Sequence, residues 1–485
     1  MKTIRRRRLI LLIGILMTVT GILTGGAFAH AADPGYPSSE DVVAVSVLST
    51  GSTPAMKLTE EDITNISDTL KSSAAFWGDI RGQVSTDMRN VQADIYAVGG
   101  SFVQFHPVRM LYGSFLPDDN APDNAVVLDK GLAWQLFGTL NAIGMTLDFL
   151  DKTYTVTGIC DTDTSLPGLL SGNGVGRAYI PYDPLGSIPI AGMEAELPGA
   201  VAGKNLQTVK NAFSAQGKAA PSFLFTDITE RGILDAEVSG VPLATMAAIL
   251  TIQIIFMAVQ IITGMGRGTW RFARERYFRE AWKPVLWRIT RMLLVCITGA
   301  GLAYCLWLLA DFRFYLPARY IPGSWIDLDF YKNLIQSEAQ AANAARVYLP
   351  APWDIAHDKV MQISGWMNAL ALAGMAVYAL GLRLLKDIRE AEPAGKRLKG
   401  WKSGGYDLLS IWVDILIAAA ASCLIDGILG LQVYMPTGTA VLIGLGLSLW
   451  AVKRLYHDEI SGLFHRSEKE ANAETAEPTE DSQCA

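Results

Sequence analysis

The chain has no GxxxxGK[ST] segment, so it carries no P-loop of its own for a nucleoside triphosphate. No GxSxG elbow surrounds Ser165 or Ser171, and its 5 histidines form no HxH or HxxxH pair. The usual marks of a serine hydrolase and of a zinc enzyme are therefore missing. The 5 cysteines (Cys160, Cys296, Cys305, Cys423 and Cys484) show no paired spacing, so neither a disulfide framework nor a metal site is expected. No internal repeat marks a secondary transporter built from inverted halves. The net charge is −6, and nothing in it points to nucleic acid.

What the chain has in excess is apolar sequence. Of its 485 residues, 50% are hydrophobic, too many for an ordinary soluble enzyme. This composition suits an α-helical membrane protein with one large soluble insert. The N-terminus has a basic head at residues 5–8, a long apolar run, then small residues at 27–32. A cleaved signal peptide and a retained first span both fit. Either way residues 5–8 lie inside and the chain is outside from residue 33.

Residues 33–240 read as a mixed α+β extracytoplasmic domain, large enough for its own core. Residues 41–50 suit a first strand. Thr59, Glu60, Glu61 and Asp62 open a helix over 58–72. Short strands are expected at 94–98 and 102–105. Residues 161–177 form a polar loop, 178–181 a strand, 193–205 a loop, 206–216 a helix and 222–226 a last strand. Between them lies a distinctive stretch at 109–159. It holds a turn at Gly113, Ser114 and Phe115, an apolar run at 125–128, a short helix ending Leu136, Phe137 and Gly138, and two strands around a turn at 150–152.

The acids of this domain form no catalytic set. Asp118, Asp119 and Asp123 read as a solvated turn. Asp161 and Asp163 lack the rest of a calcium loop. His106 reads as a packed or surface histidine.

The second half alternates spans with charged loops. Residues 241–264 are uncharged and long enough to cross. Residues 267–291 carry 8 Arg or Lys against Glu275 and Glu280, which places them in the cytoplasm. A span follows at 292–309, then a polar loop at 311–364 with balanced charge and interfacial aromatics. Residues 365–385 span back to a basic loop at 387–405. A hairpin at 406–455 leads to an acidic tail at 456–485, expected to be disordered. The count is six spans with the first retained, and every basic cluster falls on one side.

Two features stand out here. The segment 267–288 interleaves Trp270, Phe272, Phe278, Trp282 and Trp287 with Arg and Lys. It reads as a headgroup anchor and as a short coupling helix for a cytosolic protein. Asp414 sits well inside the apolar run 408–429 and reads as a hydrogen-bonded intramembrane acid, with a basic residue such as Arg383 as partner. Asp426 is placed near the outer end of the same run, where a charge costs little.

The stretch 109–181 resembles the periplasmic core domain of MacB-type ABC transporter permeases, a class that includes FtsX-like proteins. The resemblance rests on Gly113 to Phe115, the strand 125–128, Leu132 and Ala133 with Leu136, Phe137 and Gly138, then Ala142, Ile143 and Gly144. Tyr154, Val156, Gly158 and Ile159, and the strand at Tyr179, Ile180 and Pro181, complete it. It implies a non-catalytic permease-like subunit in the cell membrane, without a cofactor, whose exterior domain moves with a cytosolic ABC ATP-binding subunit. Both termini would be cytoplasmic, and the chain would pair as a homo- or heterodimer with another permease. Arg271, Arg274, Arg276 and Arg279 would meet the ATPase. The resemblance also favours a retained first span. Four spans are usual in that family, two fewer than counted here. The alternative is a membrane-anchored binding or scaffold protein without an ATPase.

Overall fold

The structure is a computed structural model. It describes residues 2–32, 41–48, 56–117, 122–161, 169–170, 174–183, 188–197, 205–218, 222–275, 278–322, 324, 326–345, 350–391 and 400–474.

A long helix α1 (Lys2–Ala32) comes first. The mixed domain then runs β1 (Asp41–Val47), α2 (Glu60–Leu70), β2 (Ala74–Ser85), β3 (Asn90–Gly100), α3 (Phe102–Phe105), β4 (Met110–Gly113), β5 (Ala125–Asp129), α4 (Lys130–Phe137), β6 (Thr146–Phe149), β7 (Lys152–Cys160), β8 (Gly176–Pro181), β9 (Gly192–Leu197), α5 (Asn205–Ala215) and β10 (Phe223–Asp227). All ten strands join one sheet in the order β10-β1-β9-β2-β3-β8-β5-β7-β4, with β6 pairing β2 and β7. The pairs β3–β8 and β5–β7 are parallel.

Local chemistry accounts for several boundaries. Thr59 caps α2, and Asp62 returns a hydrogen bond to the cap backbone, forming a capping box. Asp129 starts α4 by accepting from the Leu132 amide at 2.6 Å, and also accepts from the Arg177 amide at 2.9 Å. One carboxylate thus ties the helix start to β8. Burial raises its pKa above the usual carboxylate range, against the pull of these backbone donors. Leu150 and Asp151 both take positive φ (48° and 58°), as a two-residue hairpin turn between β6 and β7 requires.

The sheet is buried on both faces, and strand alternation shows how. On β3, Ile95 and Ala97 join Val126, Leu128, Leu132 and Leu136 beneath α4. Further along the sheet, Val43, Val45, Met193 and Phe213 pack with α2 and α5. The intervening residues, Tyr96 and Val98 on β3 and Ala125 and Val127 on β5, face the other way. They meet Trp77, Phe102, Phe105 and Tyr179 in a third, aromatic cluster.

Three expectations are corrected. Residues 102–105 form a short helix, which follows a chain turn at Gly100 with φ 64°. β2 has no strand signal in the sequence, because Gly78, Asp79, Arg81 and Gly82 interrupt its apolar pattern. Residues 192–197 form a strand instead of a loop. Its Glu194 points inward and is buried, where His106 lies 3.2 Å from the carboxylate.

After β10 come α6 (Ile228–Glu275), α7 (Phe278–Ala310), α8 (Leu328–Ala345), α9 (Pro352–Ala391), α10 (Gly400–Ile428) and α11 (Thr437–Glu474). Among the described residues six helices are long and apolar enough to cross a membrane: α1, α6, α7, α9, α10 and α11. The stretch 311–364 is not all loop. It contains α8, and α9 begins at Pro352, well ahead of its apolar core. The last helix continues to Glu474, past the expected start of the tail, and residues 475–485 lie outside the described residues.

Candidate functional site

Two helices carry the membrane segments up to the mixed domain. The first is α6, which continues from β10 with no described break. Asp227 ends the strand and caps the helix, accepting from the Glu230 amide at 2.9 Å. Thr229 Oγ1 accepts from the Val42 amide of β1 at 3.3 Å. The domain-side end of α6 is therefore fixed to the sheet by covalent continuity and by caps.

The second is α9. Pro352 occupies its first position, where a missing N–H costs nothing. The next residue, Trp353, enters the aromatic face of the sheet. Its ring lies 4.2 Å from His106, 5.0 Å from Trp77, 6.0 Å from Tyr96 and 6.2 Å from Phe102, centroid to centroid. Ala351 is buried in the same cluster. These contacts join a membrane helix to a sheet with which it shares no adjacent sequence.

Charged side chains then fasten α6 to α9. Arg231 lies 2.9 Å from Asp358 and 3.5 Å from Asp354. His357 Nε2 lies 2.8 Å from Asp235, and its Nδ1 meets Arg231. Hydrogen on Nε2 donates to Asp235. Asn368 donates to the Val238 carbonyl at 3.0 Å. Arg319 reaches Glu230 at 3.7 Å and Glu338 at 3.9 Å, drawing the turn before α8 to the same place. Exposed pairs contribute little singly, but a network on two parallel helices fixes their register.

Further from the domain, α1 packs along α9 at glycine contacts. A Cβ on Gly21 would stand 2.6 Å from the Ala371 amide nitrogen, and one on Gly374 would stand 2.5 Å from that of Thr18. Such approaches are the small-residue contacts that bring membrane helices together. Tyr378 of α9, fully buried, donates to the Leu447 carbonyl of α11 at 2.7 Å. α10 closes on α1 from another side.

Residues 9–210 match the family described as MacB-like periplasmic core domain. Over those residues the chain is similar to that domain. The extracellular domain of the noncanonic ABC-type transporter YknZ from Gram-positive bacteria is similar at 13% identity. That likeness covers 38% of this chain and 100% of that one, with a TM-score of 0.31. The periplasmic region of MacB from Actinobacillus actinomycetemcomitans is similar at 16% identity, over 38% of this chain and 88% of that one, with a TM-score of 0.30. No curated protein matches the chain. Six helices long and apolar enough to cross a membrane accompany the matched region among the described residues. The match begins inside α1 and ends within α5, so β10 and the α6 and α9 stalks lie beyond it.

The residues singled out in the sequence fall in three places. The basic segment is divided between two long helices among the described residues. Its residues belong to the end of α6 and the start of α7, with only 276–277 between them. No glycine or proline stands between Thr269 and Lys283 to interrupt the helices. Arg271 and Arg274 lie in the last turns of α6, where cations suit the helix dipole. The Arg274 side chain is exposed. The Arg271 and Arg279 side chains, and Arg276 altogether, lie outside the described residues. Trp270, Trp282 and Trp287 are exposed beside them, and Arg288 stacks 4.6 Å over Phe272.

Asp414 is half-buried on α10, and the charged group acting on it is Arg8 of α1, in place of the expected Arg383. The buried acid of α10 is Asp426, at 1% exposure. Sequence position put it at a cheap interface, but the facing helix α1 seals it. Within the MacB-like domain, Asp118, Asp119, Asp163, Ser165 and Ser171 lie outside the described residues. Asp123 is exposed, and Asp161 lies 3.9 Å from Arg109 at the surface. Cys160 is buried, which pushes its thiol up to about 12 and removes it as a nucleophile. Nothing in the residues around Trp353 points to its socket. A tryptophan in a proline-containing loop reads as an interface anchor.

Proposed function

We propose that the chain is the permease-like membrane subunit of an ABC transporter. A cytosolic ATPase partner binds at the α6–α7 hairpin and moves the MacB-like domain for export or an envelope process. The observation that carries this reading is the double attachment of the domain, through the cap at Asp227 and through the Trp353 socket. A tilt of α6 against α9 at their far ends would be delivered to the sheet at two separate points. The basic clusters at residues 5–8, 267–291 and 453–454 support a cytoplasmic location for both termini and for the hairpin. Residues 33–240 then form the exterior domain, and 311–351 an exterior connection.

Isolation of the intact complex from native membranes in mild detergent tests this. An ATP-binding-cassette protein is expected to accompany the chain. Reversing Arg271, Arg274, Arg276 and Arg279 together to Glu should lower its recovery about tenfold or more, since charge reversal at an interface adds repulsion to lost attraction. The melting temperature of the variant should stay unchanged. Isolation without any nucleotide-binding protein, or recovery indifferent to the four reversals, would remove the ATPase from the account.

A further inference from the structure

The α6–α7 hairpin stays apolar for longer than the helix beside it. On α11 the apolar run ends at Lys453, whose Nζ donates to the Gln253 carbonyl of α6 at 3.4 Å and lies 5.4 Å from the centre of the Phe256 ring. From that level α6 runs on without a charge through Gly266, and its next charged residue is Arg267. α7 runs alongside. A Cβ on Gly299 would stand 3.6 Å from Ile254, and one on Gly266 would stand 3.5 Å from Met292. The uncharged stretch of α7 begins after Arg291, close to the level of Arg267. The ten residues from Met257 to Gly266 rise about 15 Å in a helix, so the hairpin carries its apolar surface that much further than α11 does.

That added length is exposed on α7. Leu293, Leu294 and Ile297 are 58%, 61% and 61% exposed. Trp282, Leu286, Ile289, Leu293 and Ile297 recur at helical spacing and share one face. Cations gather at one end of it. Lys283 Nζ lies 5.8 Å over the Trp282 ring, and the Arg291 guanidinium 5.3 Å over the Trp287 ring. Arg288 turns towards α6 instead, donating to the Gly268 carbonyl at 3.3 Å and stacking on Phe272. No Asp or Glu occurs from residue 281 to 310, so the helix supplies no countercharge of its own. The face therefore grades from cations, through exposed indole rings, to bare aliphatic side chains. A phospholipid presents the matching series: an anionic phosphate, a glycerol level that suits indole rings, and acyl chains. An apolar helix of another chain would match the leucines and leave Lys283 and Arg291 unanswered.

We propose that the face of α7 from Trp282 to Ile297 binds an anionic phospholipid of the leaflet at the tip of the hairpin. The phosphate lies between Lys283 and Arg291 beside the Trp287 ring, and an acyl chain runs along Leu293, Leu294 and Ile297. This headgroup level lies beyond that of Lys453, so the hairpin draws the leaflet out locally, as a bilayer responds to a span longer than its own thickness. The site is separate from Arg271, Arg274, Arg276 and Arg279 and needs no ATPase.

The test uses the full-length protein in nanodiscs of phosphatidylcholine, doped with photoactivatable phosphatidylglycerol or phosphatidylcholine that carries a diazirine on its acyl chain. Peptide mass spectrometry maps the adducts. Phosphatidylglycerol adducts should concentrate on residues 286–297, whereas phosphatidylcholine adducts should spread as readily to exposed Leu416 and Leu424 of α10. Combining Lys283→Gln with Arg291→Gln should lower the phosphatidylglycerol adducts on α7 roughly twenty-five-fold, about fivefold for each cation removed, or to the phosphatidylcholine level. Adducts on α10 should persist in the double variant, which reports an intact fold. An even spread of both lipids over α7 and α10 would overturn the proposal. So would an enrichment on α7 that the double variant leaves unchanged. An α7 face free of adducts with either lipid would show that another chain covers it, and would overturn the proposal too. The map from the unmodified protein decides the matter even where the variant fails to fold.

Discussion

Replacing Trp353 with Ala should detach the MacB-like domain from α9 while leaving the domain folded. The ring touches His106, Trp77, Tyr96 and Phe102, so its loss opens a hole in the aromatic face of the sheet. Truncating a fully buried tryptophan costs about 3–5 kcal/mol, and a half-buried one such as Trp353 about 2–3 kcal/mol. That corresponds to an increase of roughly thirtyfold to a hundred-and-fiftyfold in the population with the joint open. Hydrogen exchange measures it directly. Amides of β3 and β8 around Tyr96 and Tyr179 should exchange faster, while those of α1 and α9 near Gly21 and Gly374 keep their protection. Trp366→Ala on the same helix is the comparison, because its ring is 68% exposed. Equal exchange in both variants would mean that the socket holds nothing.

Gly21→Ala should be still more damaging. The new methyl would stand 2.6 Å from the Ala371 amide nitrogen and from the Met367 carbonyl oxygen, both backbone atoms. A side chain could swing aside, but a helix must shift as a whole. Overpacking usually costs about 1–3 kcal/mol, and a backbone obstacle belongs at the top of that range or above it. Gly374→Ala meets Thr18 in the same way from the other helix. Thermal unfolding followed by size-exclusion chromatography in detergent should show either variant melting well below the parent protein. Gly301→Ala should be neutral or slightly stabilising, because nothing lies within 4 Å of the added carbon and alanine is the better helix former. A parent-like melting point for Gly21→Ala would show that α1 does not lie against α9 as described.

Much of this architecture is legible in the residues because its signals are local. The capping box of Thr59 and Asp62, the left-handed Gly138 after the LFG helix and the apolar runs of six spans need no distant partner to be recognised. What escapes the sequence depends on contacts between remote segments. β2 contains two glycines and two charges in its middle, yet it pairs with β3 along its whole length. Glu194 reads as a loop acid until His106 is placed against it. Trp353 and Asp426 gain their meaning from a sheet and from a helix hundreds of residues away. The Asp414 and Asp426 pair makes the point most clearly: distance from the end of a span ranked them one way, and the helix packed against them ranks them the other.

The central claim is that nucleotide state at the α6–α7 hairpin moves the MacB-like domain. Spin labels on exposed Met88, at the tip of the β2–β3 hairpin, and on exposed Arg274 report that movement by pulsed dipolar spectroscopy on the complex with its ATPase. The account predicts a distance distribution that shifts between the ATP-bound and nucleotide-free complexes, and that broadens and stops responding in Trp353→Ala. One unchanging distribution in a complex that hydrolyses ATP would contradict it.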